Sequence, residues 1–585
     1  MSTPHEVETE VLVVGAGPSG ATAAALLATY GIDCMAINKH ASVANSPRAH
    51  ITNQRALEVF RDLGIEDQVT GWATPQSQMG EHVFATSLSG EELGRLRTWY
   101  THPRFQAEHD LASPTSICDI PQHLLEPILV NTASSRGSTV RFNTELLTIT
   151  DAGDHVVAHV RDRVTGGEYS IRARYAIGAD GGNSIVAQQA GLPFEGEMGV
   201  SSSINVDFEA DLSHLVSHRQ GDMYWFIQPG VGHDGNGIGV LRMIRPWTRW
   251  VGVWGFEPSD GPADLSDANG VRIAHKLIGD SSVPVRVESM STWAVNKMVA
   301  TDNTAGRIFC VGDAVHRHSP MNGLGSNTSV QDSFNLCWKL ALVLREQASS
   351  ALLETYRDER VPVGRQIVDR ASRSNDLMPP LFMALQVPPN CDEQTLETAI
   401  KRLAEPTPEG LQRRQEFDAA LAGTLLCFNA HGIELNQHYD SAAVVTDGSD
   451  VEIPERDEEL HYFPSTRPGR HLPHAWLTRD QRRVALLDLC GRGQFTLLTG
   501  VAGDVWHEAA RTVADELGVA LTIHAIGRGC EHQDSYGDFA AVRDIEDDGA
   551  LLVRPDHMIG WRAADSSGDA AARLRAALGA ILGRA

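Results

Sequence analysis

The sequence predicts an α/β protein: a Rossmann-like nucleotide-binding domain, a β-sheet domain inserted into it, and a smaller α/β domain at the C-terminal end. Three observations predict this. An apolar strand, Glu10-Val-Leu-Val-Val, runs into Gly15-x-Gly17-x-x-Gly20 and on into an Ala/Leu-rich helix. A second apolar run, Ile308 to Val311, ends on Gly312-Asp313 and turns through Gly323 and Gly325 into another helix. Between them, residues 190–300 lose helical patterning and become β-rich and aromatic.

In chain order, the first glycine triplet stands where phosphate binding needs it, after a strand and at a helix start. Gly17 then admits a pyrophosphate and Gly20 packs the helix on the sheet. Cys34 to Asn38 completes the βαβ unit. Asn38 occupies the place of the acidic residue that would bind ribose hydroxyls, so either its amide makes that contact or Lys39 shifts recognition towards the adenine side. Pro47-Arg48-Ala-His50 is a loop before a helix that buries Leu57, Phe60 and Leu63; Arg55, Glu58 and Arg61 read as that helix's solvated face. Arg48 and His50 have no such structural role, although His50 could cap the helix beginning near Asn53. Asp119 precedes the helix carrying Leu124, Leu125, Ile128 and Leu129 and reads equally well as its cap or as a functional carboxylate.

Alternating strands from Thr139 to Ala176 close on Gly178-Ala-Asp180-Gly181, a second strand that ends on Asp-Gly. The aromatic stretch holds Tyr224-Trp225-Phe226 and Arg242-Met-Ile-Arg245-Pro-Trp247 and suits an enclosure for an apolar ligand; Trp225 is either pocket wall or core. The helix after Gly325 buries Val330, Phe334, Cys337, Ala341 and Leu344 and aims its N-terminus, with free N–H groups, at whatever Asp313 touches. Helices follow over 351–376 and 394–423, and the acidic segment Asp447 to Glu459 reads as a boundary before alternating strands and helices. The expected division is 1–189, 190–300, 301–445 and 446–585.

A net charge of -26 argues against nucleic acid or an anionic membrane as partner. No apolar run reaches membrane-spanning length, and the N-terminus lacks the basic start of a signal peptide, so a cytoplasmic protein is expected. The eight cysteines are scattered, with no C-x-x-C and no metal-ligand spacing, so no metal is expected.

The three glycine-bearing pieces, in this order, resemble the single-component FAD-dependent aromatic hydroxylases. Pro47-Arg-Ala-His-Ile-Thr-Asn-Gln-Arg55, Leu241-Arg-Met-Ile-Arg-Pro-Trp247, Gly312-Asp-Ala-Val-His-Arg-His318 and Leu551-Leu-Val-Arg-Pro-Asp556 narrow this to the phenol 2-monooxygenase branch, near the 2,4-dichlorophenol 6-monooxygenases and 2-hydroxybiphenyl 3-monooxygenases. The resemblance implies a Rossmann-like FAD-binding domain with an inserted β-sheet substrate domain and a C-terminal thioredoxin-like domain, without redox chemistry in the last. It implies non-covalent FAD held by Gly15, Gly17, Pro18, Ser19 and Gly20 at the pyrophosphate and by Gly312 and Asp313 at the ribityl chain. Asn38, Lys39, Arg48, Gln54, Gln122, Asp180, Gly181, Gly325, Ser326 and Asn327 complete that set. His50, Asp119, Trp225, Arg242 and Pro320 are expected at the reacting ring, with Arg242 receiving the nicotinamide cofactor. NADPH or NADH and O2 are co-substrates; the preference stays open because Val186 is followed by Ala187 where the family has Arg. The implied activity is ortho-hydroxylation of a phenol, chlorinated or otherwise substituted, to a catechol, by a homodimer. The alternatives are a hydroxylase of polycyclic polyketides and a non-catalytic flavin-binding protein.

Overall fold

The computed structural model describes residues 6–228, 238–256, 258–388, 391–449 and 454–584. Residues 450–453 of the acidic segment and the first five residues of the N-terminus lie outside that description.

The first sheet explains why three distant motifs act together. Six of its eight strands lie in the order Thr304–Ala305, Ile308–Cys310, Glu168–Gly178, Glu6–Val14, Cys34–Ile37 and Thr139–Arg141, parallel except the first, while Val156–Asp162 and Thr144–Asp151 extend it antiparallel from Glu168–Gly178. In register, Val14 sits opposite Gly178 and Gly178 opposite Cys310. The turns that follow, at Gly15, Ala179 and Val311, therefore leave one carboxyl edge of the sheet side by side, where open α/β sheets bind ligands. Close packing fixes two of the glycines there. A Cβ at Gly15, whose φ is 109°, would lie 2.2 Å from the Ala179 carbonyl oxygen, and one at Gly20 would lie 2.0 Å from that of Gly15.

A second, eight-stranded sheet covers the first domain, in the order His316–Arg317, Arg286–Ala300, Phe194–Glu209, Arg249–Gly255, Ile238–Arg245, Met223–Ile227, Glu81–Ala85 and Glu92–Arg97. It is not confined to residues 190–300: two of its strands come from residues 81–97 and one from 316–317. Strand alternation sets the side to which Trp225 turns. Tyr224 and Phe226 pack towards the helix Asp267–Ile278, whereas Trp225 and Phe84 face the opposite way, towards Met378, Phe382 and Phe428.

The C-terminal domain has strands ordered Leu521–Ala525, Phe495–Thr499, Ala550–Val553, Ile559–Ala563. The first pair is parallel and the others antiparallel, with helices Asp504–Leu517 and Ala570–Ile581, which is thioredoxin-like topology. Its apolar residues Phe495, Leu497, Trp506 and Leu578 share one core with Val330, Phe334 and Trp338 of the helix Leu324–Leu344. Polar groups cross the same boundary: Arg554 grips Glu359 at 2.6 and 2.8 Å and Asp556 at 2.6 Å, and Lys339 reaches Glu359 at 2.7 Å, all buried. Here the expectation for Arg55 and Glu58 fails. Both are buried, Arg55 donating to Glu58 and to the Asp556 carbonyl while Glu58 meets His471, because the C-terminal domain covers that helix face; Arg61 is partly exposed and pairs with Asp488.

Candidate active site

The residues at the carboxyl edge fit FAD. The helix Pro18–Thr29 starts there with Gly17 as its N-cap, offering backbone N–H groups and the positive end of its dipole to an anion. A Cβ built on Gly17 meets nothing closer than Glu126 Oε1 at 3.8 Å, and one on Gly181 meets nothing within 4 Å, so a ligand has room at both. Ser19 is buried beneath, its carbonyl accepting the Ser333 hydroxyl at 2.8 Å. Buried Asp332 fixes the turn after Ile308–Cys310, accepting Gly312 N–H at 2.9 Å, His316 at 2.8 Å and Arg360 at 2.7 Å. The same turn leaves the Asp313 carboxylate exposed and without a side-chain hydrogen bond among the described residues. Gly325 and Ser326 lie in the first turn of the helix Leu324–Leu344, with exposed Pro320 just before it. Asp313→Ala should weaken FAD by about ten- to a hundredfold, the worth of one hydrogen bond to a charged group. Fluorescence titration measures it, and an unchanged affinity would remove Asp313 from the site.

Several other residues of the expected cofactor set make hydrogen bonds within the chain. Asp180 accepts from Ser184 Oγ at 2.5 Å and from the Ile185 and Val186 amides at 2.7 and 3.2 Å, so its carboxylate shapes the loop bearing Gly181. Gln54 is fully buried, donating to the carbonyls of His109 and Thr115 and meeting His431. Buried Asn327 accepts Asn53 N–H at 2.9 Å and donates to Ile51 O and Gly323 O, tying the His50 strand to the helix N-terminus. Asn38 shapes its own turn through His40 N–H and Ser42 O, and Lys39 and Arg48 are exposed. Gln122 donates its amide N–H to Glu126 Oε1 at 2.5 Å.

Of the expected reaction residues, His50, Asp119 and Arg242 come together. Ile51 pairs with Asp119 in a short antiparallel ladder, and Ile120 N–H donates to the His50 carbonyl at 2.8 Å. This sets His50 Nδ1 2.7 Å from Asp119 Oδ2, with Asp119 buried and the His50 side chain 11 % exposed. Asp119 is a strand residue, not a helix cap, and the helix near Asn53 is capped by Asn53 itself, which accepts Ala56 N–H. Arg242 donates to the carbonyls of Arg48, at 2.6 Å, and Pro47, which latches the His50 loop to the second sheet. Burial pushes its guanidinium down to about 10, while Asp119, Asp222 and Asp207 act the other way.

Four residues of this site were not legible in the sequence: Asp222, His82, Trp99 and Phe428. The Trp225 indole N–H donates to His82 Nδ1 at 3.3 Å, which leaves the ring proton on Nε2 to be donated to Asp222 Oδ1 at 2.9 Å; the Trp99 indole donates to Asp222 Oδ2 at 3.0 Å. Phe428 sits 4.0 Å from the His82 ring and 5.6 Å from that of Trp225. One buried carboxylate thus orients two indole rings. Asp222 in Gly-Asp before a strand reads as a turn residue, and only the parallel pairing of 81–85 with 223–227 brings His82 to it. His50, Asp119 and Asp222 offer three donor atoms within 4.8 Å of one another. Both Asp222 oxygens are engaged and the Arg242 cation lies close by, so this donor set suits proton handling better than a divalent ion.

Comparison with known proteins gives the family. Residues 8–371 match the FAD binding domain family and residues 465–585 the aromatic-ring hydroxylase C-terminal family. The chain is similar to a 2,4-dichlorophenol 6-monooxygenase of Delftia acidovorans, 53% identical over 98% of both chains. It is also similar to a phenol 2-monooxygenase of Pseudomonas sp. strain EST1001, 45% identical over 96% of this chain and 91% of that one. Polyketide hydroxylases stand further off. Among solved structures, the flavin-dependent monooxygenase PieE in complex with FAD and substrate superposes with a TM-score of 0.96 at 41% identity over the whole of both chains. With the three converging motifs and these matches across nearly its full length, the chain belongs to the FAD-dependent aromatic-ring hydroxylases.

Proposed function

We propose that this enzyme hydroxylates a phenol, chlorinated or otherwise substituted, ortho to its hydroxyl group. The balance is phenol, O2, NAD(P)H and a proton giving catechol, NAD(P)+ and water. The observation that supports this reading is the His50–Asp119 pair, whose donor atoms lie within 4.8 Å of Asp222, the carboxylate that holds His82 and through it the Trp225 indole. FAD, when bound and reduced by NAD(P)H, supplies the oxygen-transfer chemistry. The chain's own part is to enclose the ring, exclude water and handle the phenolic proton. With Nδ1–H donated to Asp119, His50 Nε2 keeps its lone pair and can accept that proton; Asp119 then faces an imidazolium it stabilises. The anionic ring oxygen pushes electron density to the ortho carbon.

The test is NAD(P)H oxidation and O2 uptake over a panel of phenols, with catechol identified as product. Turnover of a polycyclic substrate only, or tight FAD without substrate-dependent oxidation, would point to the two alternatives. We further propose that Arg242 helps receive the nicotinamide cofactor. Arg242→Ala should raise KM for NAD(P)H about tenfold, ~1.4 kcal/mol, with a smaller change in phenol binding. An unaltered reductive half-reaction would leave Arg242 only the latch on the His50 loop. The cytoplasmic location rests on eight free cysteines; among the described residues no helix is long and apolar enough to cross a membrane. A homodimer rests on family resemblance, and sedimentation would read it.

A further inference from the structure

Glu126 is a buried carboxyl that the proton chemistry at His50 does not use. It is 2% exposed and lies on the helix Gln122–Ser135, where Oε2 accepts Ala44 N–H at 2.6 Å and Oε1 accepts the Gln122 amide N–H at 2.5 Å. Oε1 is also the atom nearest a Cβ built on Gly17, 3.8 Å away. Gly17 is the glycine through which the backbone admits the pyrophosphate. A carboxyl and a pyrophosphate therefore share one wall, and two like charges at close quarters cannot both stay ionised without cost.

We propose that Glu126 is a proton-linked wall of the FAD pyrophosphate site: FAD binding is accompanied by uptake of a proton onto this carboxyl, and the holoenzyme carries it as the neutral acid. The groups that face it are the Gln122 amide on its own helix, the Ala44 N–H and the Arg48 guanidinium from the loop opposite, and the N-terminus of the helix Pro18–Thr29. Burial already pushes the carboxyl above the usual carboxylate range, against the pull of Gln122, Ala44 and Arg48. An adjacent pyrophosphate pushes the same way as burial. The sign follows: a group whose bound-state value is raised gives its full contribution below its free-state value, and FAD affinity falls as pH rises through the bound-state value, by at most about tenfold per pH unit.

The full chain, stripped of FAD, is titrated with FAD across the range from about pH 5 to about pH 9, reading flavin fluorescence, for the wild type and Glu126→Gln. The wild-type Kd should rise with pH, whereas E126Q, neutral throughout, should bind as the wild type does at low pH and hold that affinity at high pH. Calorimetry of FAD binding to the wild type in two buffers of different ionisation enthalpy reads the proton directly and does not depend on the variant folding. Parallel pH profiles for the two proteins, a folded E126Q that loses FAD at every pH, or no net proton uptake by the wild type would each overturn the proposal.

Discussion

His50→Ala is expected to keep FAD and lose hydroxylation by about a hundred- to ten-thousandfold on weakly acidic phenols, the range that a positioned general base supplies. The loss should shrink for chlorophenols that ionise near neutral pH, because an unsubstituted phenol, like a tyrosine side chain, gives up its proton only near pH ~10. Asp119→Asn should follow the same pattern more weakly, since the ring keeps a hydrogen-bond partner at Nδ1 but loses the charge that steadies the imidazolium. Single-turnover rates against phenols of graded acidity measure this. Equal losses across the series would show that His50 positions the ring without taking its proton.

Arg554→Ala is expected to cost about 3–5 kcal/mol of stability, the usual penalty for leaving buried charges without their partner. Arg554 answers both Glu359 and Asp556 in a site closed to water, and Lys339 alone cannot neutralise two carboxylates. Burial pushes the Lys339 ammonium down to about 8 even with Glu359 beside it, so its own charge is already held at a cost. A lowered urea midpoint and faster proteolysis near the start of the C-terminal domain would be the signs. A stability loss under about 1 kcal/mol would mean that water enters and screens the cluster.

The parts of the fold that local rules decide were readable from residues alone. Gly15, Gly17 and Gly20 announce a strand-to-helix turn, and Gly312-Asp313 repeats the pattern with a carboxylate. That these turns meet depends on the parallel register of Val14, Gly178 and Cys310, which residue spacing cannot supply and family resemblance did. The misreading of one helix face has a plain cause. Arg55 and Glu58 looked solvated because their partners, His471 and Asp556, come from more than four hundred residues later. Gln54 and Asn327, expected at the cofactor, also have interior partners that folding brings from elsewhere in the chain. Asp222 and His82 were passed over because neither has a motif; each acquires its role only when two distant strands pair.

The core shared by the helix Leu324–Leu344 and the C-terminal domain bears on how the protein is made in the cell. Synthesis delivers the N-terminal portion first, and domains generally fold as they emerge. Here the face of the flavin-side helix bearing Phe334 and Trp338 stays uncovered until residues from Phe495 to Leu578 have left the ribosome. The Lys339 and Glu359 charges wait equally long for Arg554. Nascent chains short of the end therefore present a bare apolar stripe beside half-paired charges, a natural target for holding chaperones. Premature stops anywhere in the last domain would then yield insoluble protein in place of a shortened, working hydroxylase.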